Sequence, residues 1–166
     1  MKKWKIILIL SMIGGACFIL VPLIFPGDET LIFRKLDDLA EFVSIRPQQG
    51  LMTREDIRAQ VETFFDSEIR IQLNLPDGQT NLLLSGIEKL KEYILKVRSQ
   101  VRLLNVDFLE QSIEITEPHT KAVAFVTVRA RVPSRPQLEF SEFRLDWVKK
   151  ENEWKITHVE SIRPLK

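Results

Sequence analysis

From Asp28 to about residue 100 the apolar residues recur mainly three and four apart, as on one face of a helix, with one short alternating stretch near Ile69 to Leu73; from Val101 onward they recur two apart, as on one face of a strand. Helices gathered first and strands gathered after exclude an alternating βαβ fold. They predict an α+β architecture in which three helices pack on one side of a curved antiparallel sheet.

The first helix is carried by Ile32, Leu36, Leu39 and Val43, with Asp28 as its expected N-cap and Arg46-Pro47 as its stop. A second starts at Thr53, with Asp56 three residues on as in a capping box, and continues through Ile57, Val61 and Phe64. "EIRIQLNLPDGQT" reads as a short alternating strand with a Pro-Asp-Gly turn. The third helix has the capping pattern Ser85 and Glu88, and Ile87, Leu90, Ile94 and Val97 keep its phase to about Ser99.

Four long strands follow, over about 102–116, 120–132, 138–149 and 153–163, separated by Glu117-Pro118, by Pro133 to Pro136 and by Lys150 to Asn152. They form an antiparallel meander. In the first of them Leu104, Val106 and Phe108 share one phase while Leu109, Ile113 and Ile115 share the other. That switch predicts a bulge near Leu109 to Gln111, a device that bends a sheet.

Strict alternation then assigns the faces. Phe143, Leu145 and Trp147 point under the helices, as do Trp154, Ile156 and Ile162, and His158 and Glu160 share their phase. Phe108, Phe143, Trp147 and Trp154 are the candidate lining of a pocket, and Phe125 alternates with them as a core aromatic. Glu142, Arg144, Asp146, Lys155, Thr157, Ser161 and Arg163 fall on the other face, a mixed-sign surface that allows a polar homodimer; Arg144 and Asp146 read there as a solvated cross-strand pair. An imidazole beside a carboxylate inside an apolar cone would suit proton transfer, so His158 and Glu160 are the candidate acid/base pair. The competing reading is two polar side chains where the strand meets water.

Composition narrows the function classes. The chain has 166 residues, 45% hydrophobic and 28% charged, which fits a folded domain with an appendage. Three of its 24 basic residues, Lys2, Lys3 and Lys5, precede the domain and no acid does, so the domain itself is slightly acidic, unlike a nucleic-acid binder. The only cysteine is Cys17, and the histidines are His119 and His158, so no metal site is expected. No GxGxxG, Walker, HExxH, CxxC or GxSxG motif occurs, and no cofactor is expected.

Residues 1–26 read as a membrane signal-anchor. Ile6 to Phe25 form an uncharged apolar run, long enough to span hydrocarbon roughly 30 Å thick, and Pro22 and Pro26-Gly27 end it. The lysines before the run and Asp28 and Glu29 after it keep the N-terminus cytoplasmic. The chain is expected to cross the bacterial cytoplasmic membrane once, with its domain, residues 27–166, on the periplasmic side. "GGAC" leaves two other readings open, a lipoprotein site at Cys17 and a cleaved secretion signal.

"IRAQVETFFDSEIRIQLNLPDGQTNLLLSGIEKLKEYI" and the closing "ENEWKITHVESIRPL" are similar to the helix, short strand, glycine, helix and final strand of the nuclear transport factor 2-like (NTF2-like) superfamily, which includes ketosteroid isomerase-like and SnoaL-like proteins. The resemblance covers roughly residues 30–166. It implies a cone-shaped α+β fold and, in some relatives, dimerisation through the outer sheet face. It supplies no active site here. Ketosteroid isomerase-like enzymes use a tyrosine and aspartates without counterparts in this chain, whose only tyrosine, Tyr93, falls on the third helix. Arg144 and Asp146 resemble the Arg/Asp sets of epoxide-hydrolase relatives, but their phase puts them on the polar face. Two function classes follow: a non-catalytic tethered domain that binds a small apolar ligand or a protein partner, and an isomerase, dehydratase or hydrolase acting on a hydrophobic molecule in the cone.

Overall fold

The computed structural model describes residues 27–46, 52–74, 81–131 and 139–165. The expected anchor, residues 1–26, lies outside the described residues. Among those described, no helix is long and apolar enough to cross a membrane.

Three helices, α1 (Asp28–Val43), α2 (Arg54–Phe64) and α3 (Ile87–Gln100), lie against a six-stranded sheet. Its strands are β1 (Phe65–Asn74), β2 (Asn81–Ser85), β3 (Asn105–Thr116), β4 (Lys121–Arg131), β5 (Glu139–Lys150) and β6 (Glu153–Leu165), in the order β2-β1-β6-β5-β4-β3. The meander β3 to β6 is antiparallel, as its spacing predicts. The early strand is instead a β1–β2 hairpin, and β1 lies parallel to β6, so the sheet is mixed rather than purely antiparallel. Its Pro-Asp-Gly turn lies outside the described residues.

Local chemistry sets the helix starts. Thr53 Oγ1 accepts the Asp56 N–H at 3.1 Å and the Asp56 carboxylate accepts the Thr53 N–H at 2.9 Å, the expected capping box. Two other expected caps differ. Ser85 ends β2, and Gly86, at φ 89°, turns the chain into α3 in a conformation that costs a glycine little. Gly27 is the N-cap of α1, and Asp28 serves elsewhere: its carboxylate accepts Trp154 Nε1–H at 3.0 Å and Lys149 Nζ–H at 2.6 Å. These bonds fasten the start of α1 to the β5–β6 turn.

The helical stripes meet the concave face of the sheet. Ile32, Leu36, Leu39 and Phe42 of α1 and Ile57, Val61 and Phe64 of α2 are buried, together with Ala122, Ala124, Val126, Leu145, Trp147, Trp154 and Ile156. Phe42 replaces Val43 as the fourth fully buried contact of α1. The small side chains of Ala122 and Ala124 leave room beside Trp147, which sits opposite Ala122.

The sheet bends at bulges. In β3, Leu109 and Glu110 stand opposite Thr127 alone, so Phe108 and Ile113 face inward while Leu109 stays exposed. Two more bulges occur in β6. Trp147 pairs with Ile156 but Asp146 pairs with His158, leaving Thr157 extra; Phe143 pairs with Ser161 but Glu142 with Arg163, leaving Ile162 extra.

The Asp28 tie makes a pH-dependent prediction. The Lys149 ammonium holds the Asp28 carboxyl below its ordinary value of 3.8, against the opposing effect of burial, and Trp154 Nε1–H acts with it. A depressed folded-state value means that the contribution is complete above the unfolded value and is lost as pH falls through the folded one. Asp28→Asn keeps an acceptor for Trp154 and removes only the charge. In urea unfolding of residues 27–166 followed by tryptophan fluorescence, the variant is about 1 kcal/mol less stable at pH 7, and the difference shrinks as pH falls below 3.8 and through the depressed folded-state value.

Candidate ligand-binding cavity

Bulging decides what the cone encloses. Past Thr157 the phase of β6 reverses, so Val159 and Ser161 stand opposite Leu145 and Phe143 on the concave side. The same reversal pairs His158 with Asp146 and Glu160 with Arg144 on the convex face. The expectation that His158 and Glu160 point inward is corrected by this geometry, because one extra residue moves every later side chain to the other face. Ser161 is inward and buried rather than outward, and Ile162 is exposed rather than core.

Inside the cone is a cavity of about 250 Å³. The β1–β2 hairpin contributes Ile71, Leu73, Leu82 and Leu84; α1 contributes Leu39 and Val43; α3 contributes Leu90, Tyr93 and Ile94. The sheet supplies Val106, Phe108, Val126, Val128, Phe143, Leu145 and Val159, and Phe65 completes the wall. Tyr93 is the one lining side chain that carries a polar atom, and none of the open surface is polar, so its hydroxyl does not face in. A guest here meets carbon along the described wall.

Of the four lining residues expected from the sequence, Phe108 and Phe143 line this cavity. Trp147 and Trp154, at 2% and 1% exposure, are packed beyond it, toward the β5–β6 turn. Trp154 Nε1 is hydrogen-bonded to Asp28, whereas Trp147 Nε1 is buried and has no hydrogen-bond partner among the described residues. Phe125, opposite Arg144 and Ser112, belongs to the convex face and is partly exposed. Sequence reasoning missed Val159 and the hairpin leucines. The signal for Val159 is present: it lies three residues after Ile156, an odd spacing like the one that marks the β3 bulge.

Ionisable groups gather away from this cavity. On the convex face Arg144 Nε meets Asp146 Oδ1 at 2.9 Å along one strand, not across strands as expected. Lys91, at 5% exposure, sits between Glu62 and Glu88, each 2.6 Å away. The hydrogen bond that Lys91 donates to Glu62, then the one it donates to Glu88, raises its pKa, so it stays an ammonium and is no nucleophile. Asp66 meets Lys150 at 2.5 Å; burial raises its pKa, but the Lys150 and Glu68 N–H bonds prevail and hold it below the ordinary value. Among the described residues no cluster of His, Cys, Asp or Glu is suited to a metal ion.

No family model matches this sequence, and no curated protein does. Solved structures do match. A protein from Kribbella flavida, 11% identical, superposes with a TM-score of 0.63 over 81% of this chain and 88% of its own. A protein from Novosphingobium aromaticivorans provisionally named a scytalone dehydratase is 14% identical, with a TM-score of 0.62 over 82% of this chain and 83% of its own. An NTF2-like protein of unknown function from Pseudomonas putida is 12% identical, with a TM-score of 0.59 over 83% of this chain and 84% of its own. At such identities the likeness is one of architecture: over its described residues this chain has the α+β fold of NTF2-like proteins, three helices on a curved six-stranded sheet.

Proposed function

We propose that the chain is a membrane-tethered, extracytoplasmic NTF2-like domain, non-catalytic, that holds a small apolar ligand inside its cone. The observation that carries the binding role is the cavity itself: a hollow whose described lining offers carbon, with the Tyr93 hydroxyl turned away and no carboxylate, imidazole, ammonium or guanidinium in its wall. Apolar surface removed from water contributes roughly 25 cal/mol per Å², so such a wall favours an apolar guest over a polar one. A dehydratase, isomerase or hydrolase reading would need an acid or base within reach of the guest. The candidate pair His158 and Glu160 faces the opposite side of the sheet, which supports binding over turnover.

Tethering rests on the sequence: the apolar run Ile6 to Phe25 with lysines before it and acids after it. Asp28, the first residue of α1, is held at the β5–β6 turn, while the cavity lies toward the other end of the sheet. An anchor joined there would leave the hairpin end of the cone pointing away from the bilayer.

Two measurements check this reading. The uncharged dye N-phenyl-1-naphthylamine should bind with an emission increase, Val128→Phe should weaken it about tenfold by filling the cavity, and His158→Gln and Glu160→Gln should leave it unchanged within about twofold. No binding, or loss of binding in the convex-face variants, contradicts the assignment. For topology, an alkaline phosphatase fused after Lys166 should be active in intact cells; an inactive fusion beside an active cytoplasmic reporter contradicts it.

A further inference from the structure

We propose that the guest is a long-chain carboxylate, with its alkyl chain in the cone and its head group held by Arg98. This rests on the apolar-cavity reading above and adds the head group to it. Beside the larger cavity lies a second hollow of about 150 Å³, between the end of α1 and the outer half of α3. Val43, Tyr93 and Ile94 belong to both linings, so one thin wall separates the two spaces. Alone, the larger cavity falls short of the roughly 300–1,000 Å³ of small-molecule sites; opened to its neighbour past Tyr93, it reaches that range.

The joined space has a direction. Leu90 lines the inner cavity, Ile94 lines both and Arg98 lines only the outer one. These are successive i+4 positions on one ridge of α3, so the path follows the helix for about 12 Å. An extended alkyl chain fits such a path. Among the described residues Arg98 is the only charged one in either lining, and it stands at the end away from the cone's interior.

Its guanidinium is held ready for a partner. One N–H donates to the Phe42 carbonyl at the end of α1, and the group sits 5.1 Å from the centre of the Phe42 ring. Those contacts fix its plane, and among the described residues most of its five donors have no other partner. Among the described residues no carboxylate is within ion-pair distance of it, although Arg98 also borders the cleft that Asp38, Glu41 and Phe42 line. A half-buried, unpaired guanidinium attracts an anion more strongly than one in open water, and its fork fits the two oxygens of a carboxylate.

The test is equilibrium dialysis of labelled dodecanoate and dodecanol, at pH 7.5, against the full chain held in phospholipid nanodiscs, with empty nanodiscs subtracted. Dodecanoate should bind at least about tenfold more tightly than dodecanol, a difference of about 1.4 kcal/mol. Arg98→Gln should remove that preference and leave dodecanol binding intact, which also shows the variant is folded. Arg98→Lys should retain a preference, because the charge and not the cap on α1 selects the head. Equal binding of both ligands by the unaltered chain, or a preference that survives Arg98→Gln, overturns the head-group assignment and leaves the cavity reading standing. If neither ligand binds, the cavity reading fails as well.

Discussion

A sheet of six strands can enclose a space under three helices only if its strands bend, and a strand bends most readily where one extra residue enters its ladder. The extra residues in β3 and at Thr157 and Ile162 of β6 provide the bends here. Each also resets which face the following side chains occupy. The shape of the cone and the chemistry of its lining therefore have one origin. Without Thr157 as an extra residue, His158 and Glu160 would stand where Val159 and Ser161 do, and the cavity wall would carry an imidazole in place of Val159, with a carboxylate on the same concave face.

The rest of the electrostatics follows from that sorting. Charges kept out of the lining are paired where burial would otherwise be costly: Asp28 with Lys149 and Trp154 at the β5–β6 turn, Asp66 with Lys150 nearby, and Lys91 with two glutamates between α2 and α3. One end of the molecule is thus tied by ion pairs, while the other is built from the hairpin leucines, α3 and the bent sheet. Arg98 departs from this pattern. It lies beside apolar surface with a backbone carbonyl and a ring for partners, and among the described residues no acid neutralises it.

Much of the fold was legible in the sequence because its elements are long and strongly periodic. The stripes of Ile32, Leu36 and Leu39, the Thr53 capping box and the four strands of the meander all stand as their spacing predicts. The β3 bulge was legible too, since six apolar residues, three on each side, disagree in phase around it. The β6 bulge was not, although Ile156 and Val159 carry the same kind of mismatch, because the polar residues between them can sit on either face. Caps next to glycine were misread for a related reason: Ser85 and Asp28 have capping side chains, but Gly86 and Gly27 take the positions through backbone conformation. The cavity was half legible. Phe108 and Phe143 could be placed from alternation, whereas Leu82, Leu84 and Val43 reach it through the parallel β1–β6 pairing and the helix packing, which no local pattern encodes.

Nuclear Overhauser contacts across β5 and β6 test the central claim most directly. The account predicts contacts from the Val159 methyl groups to those of Leu145, and from the His158 ring to the Asp146 side chain on the opposite face. Contacts from the His158 ring to Leu145 or Phe143 would contradict it, because they would place the imidazole inside the cone and remove the reason for reading the cavity as purely apolar.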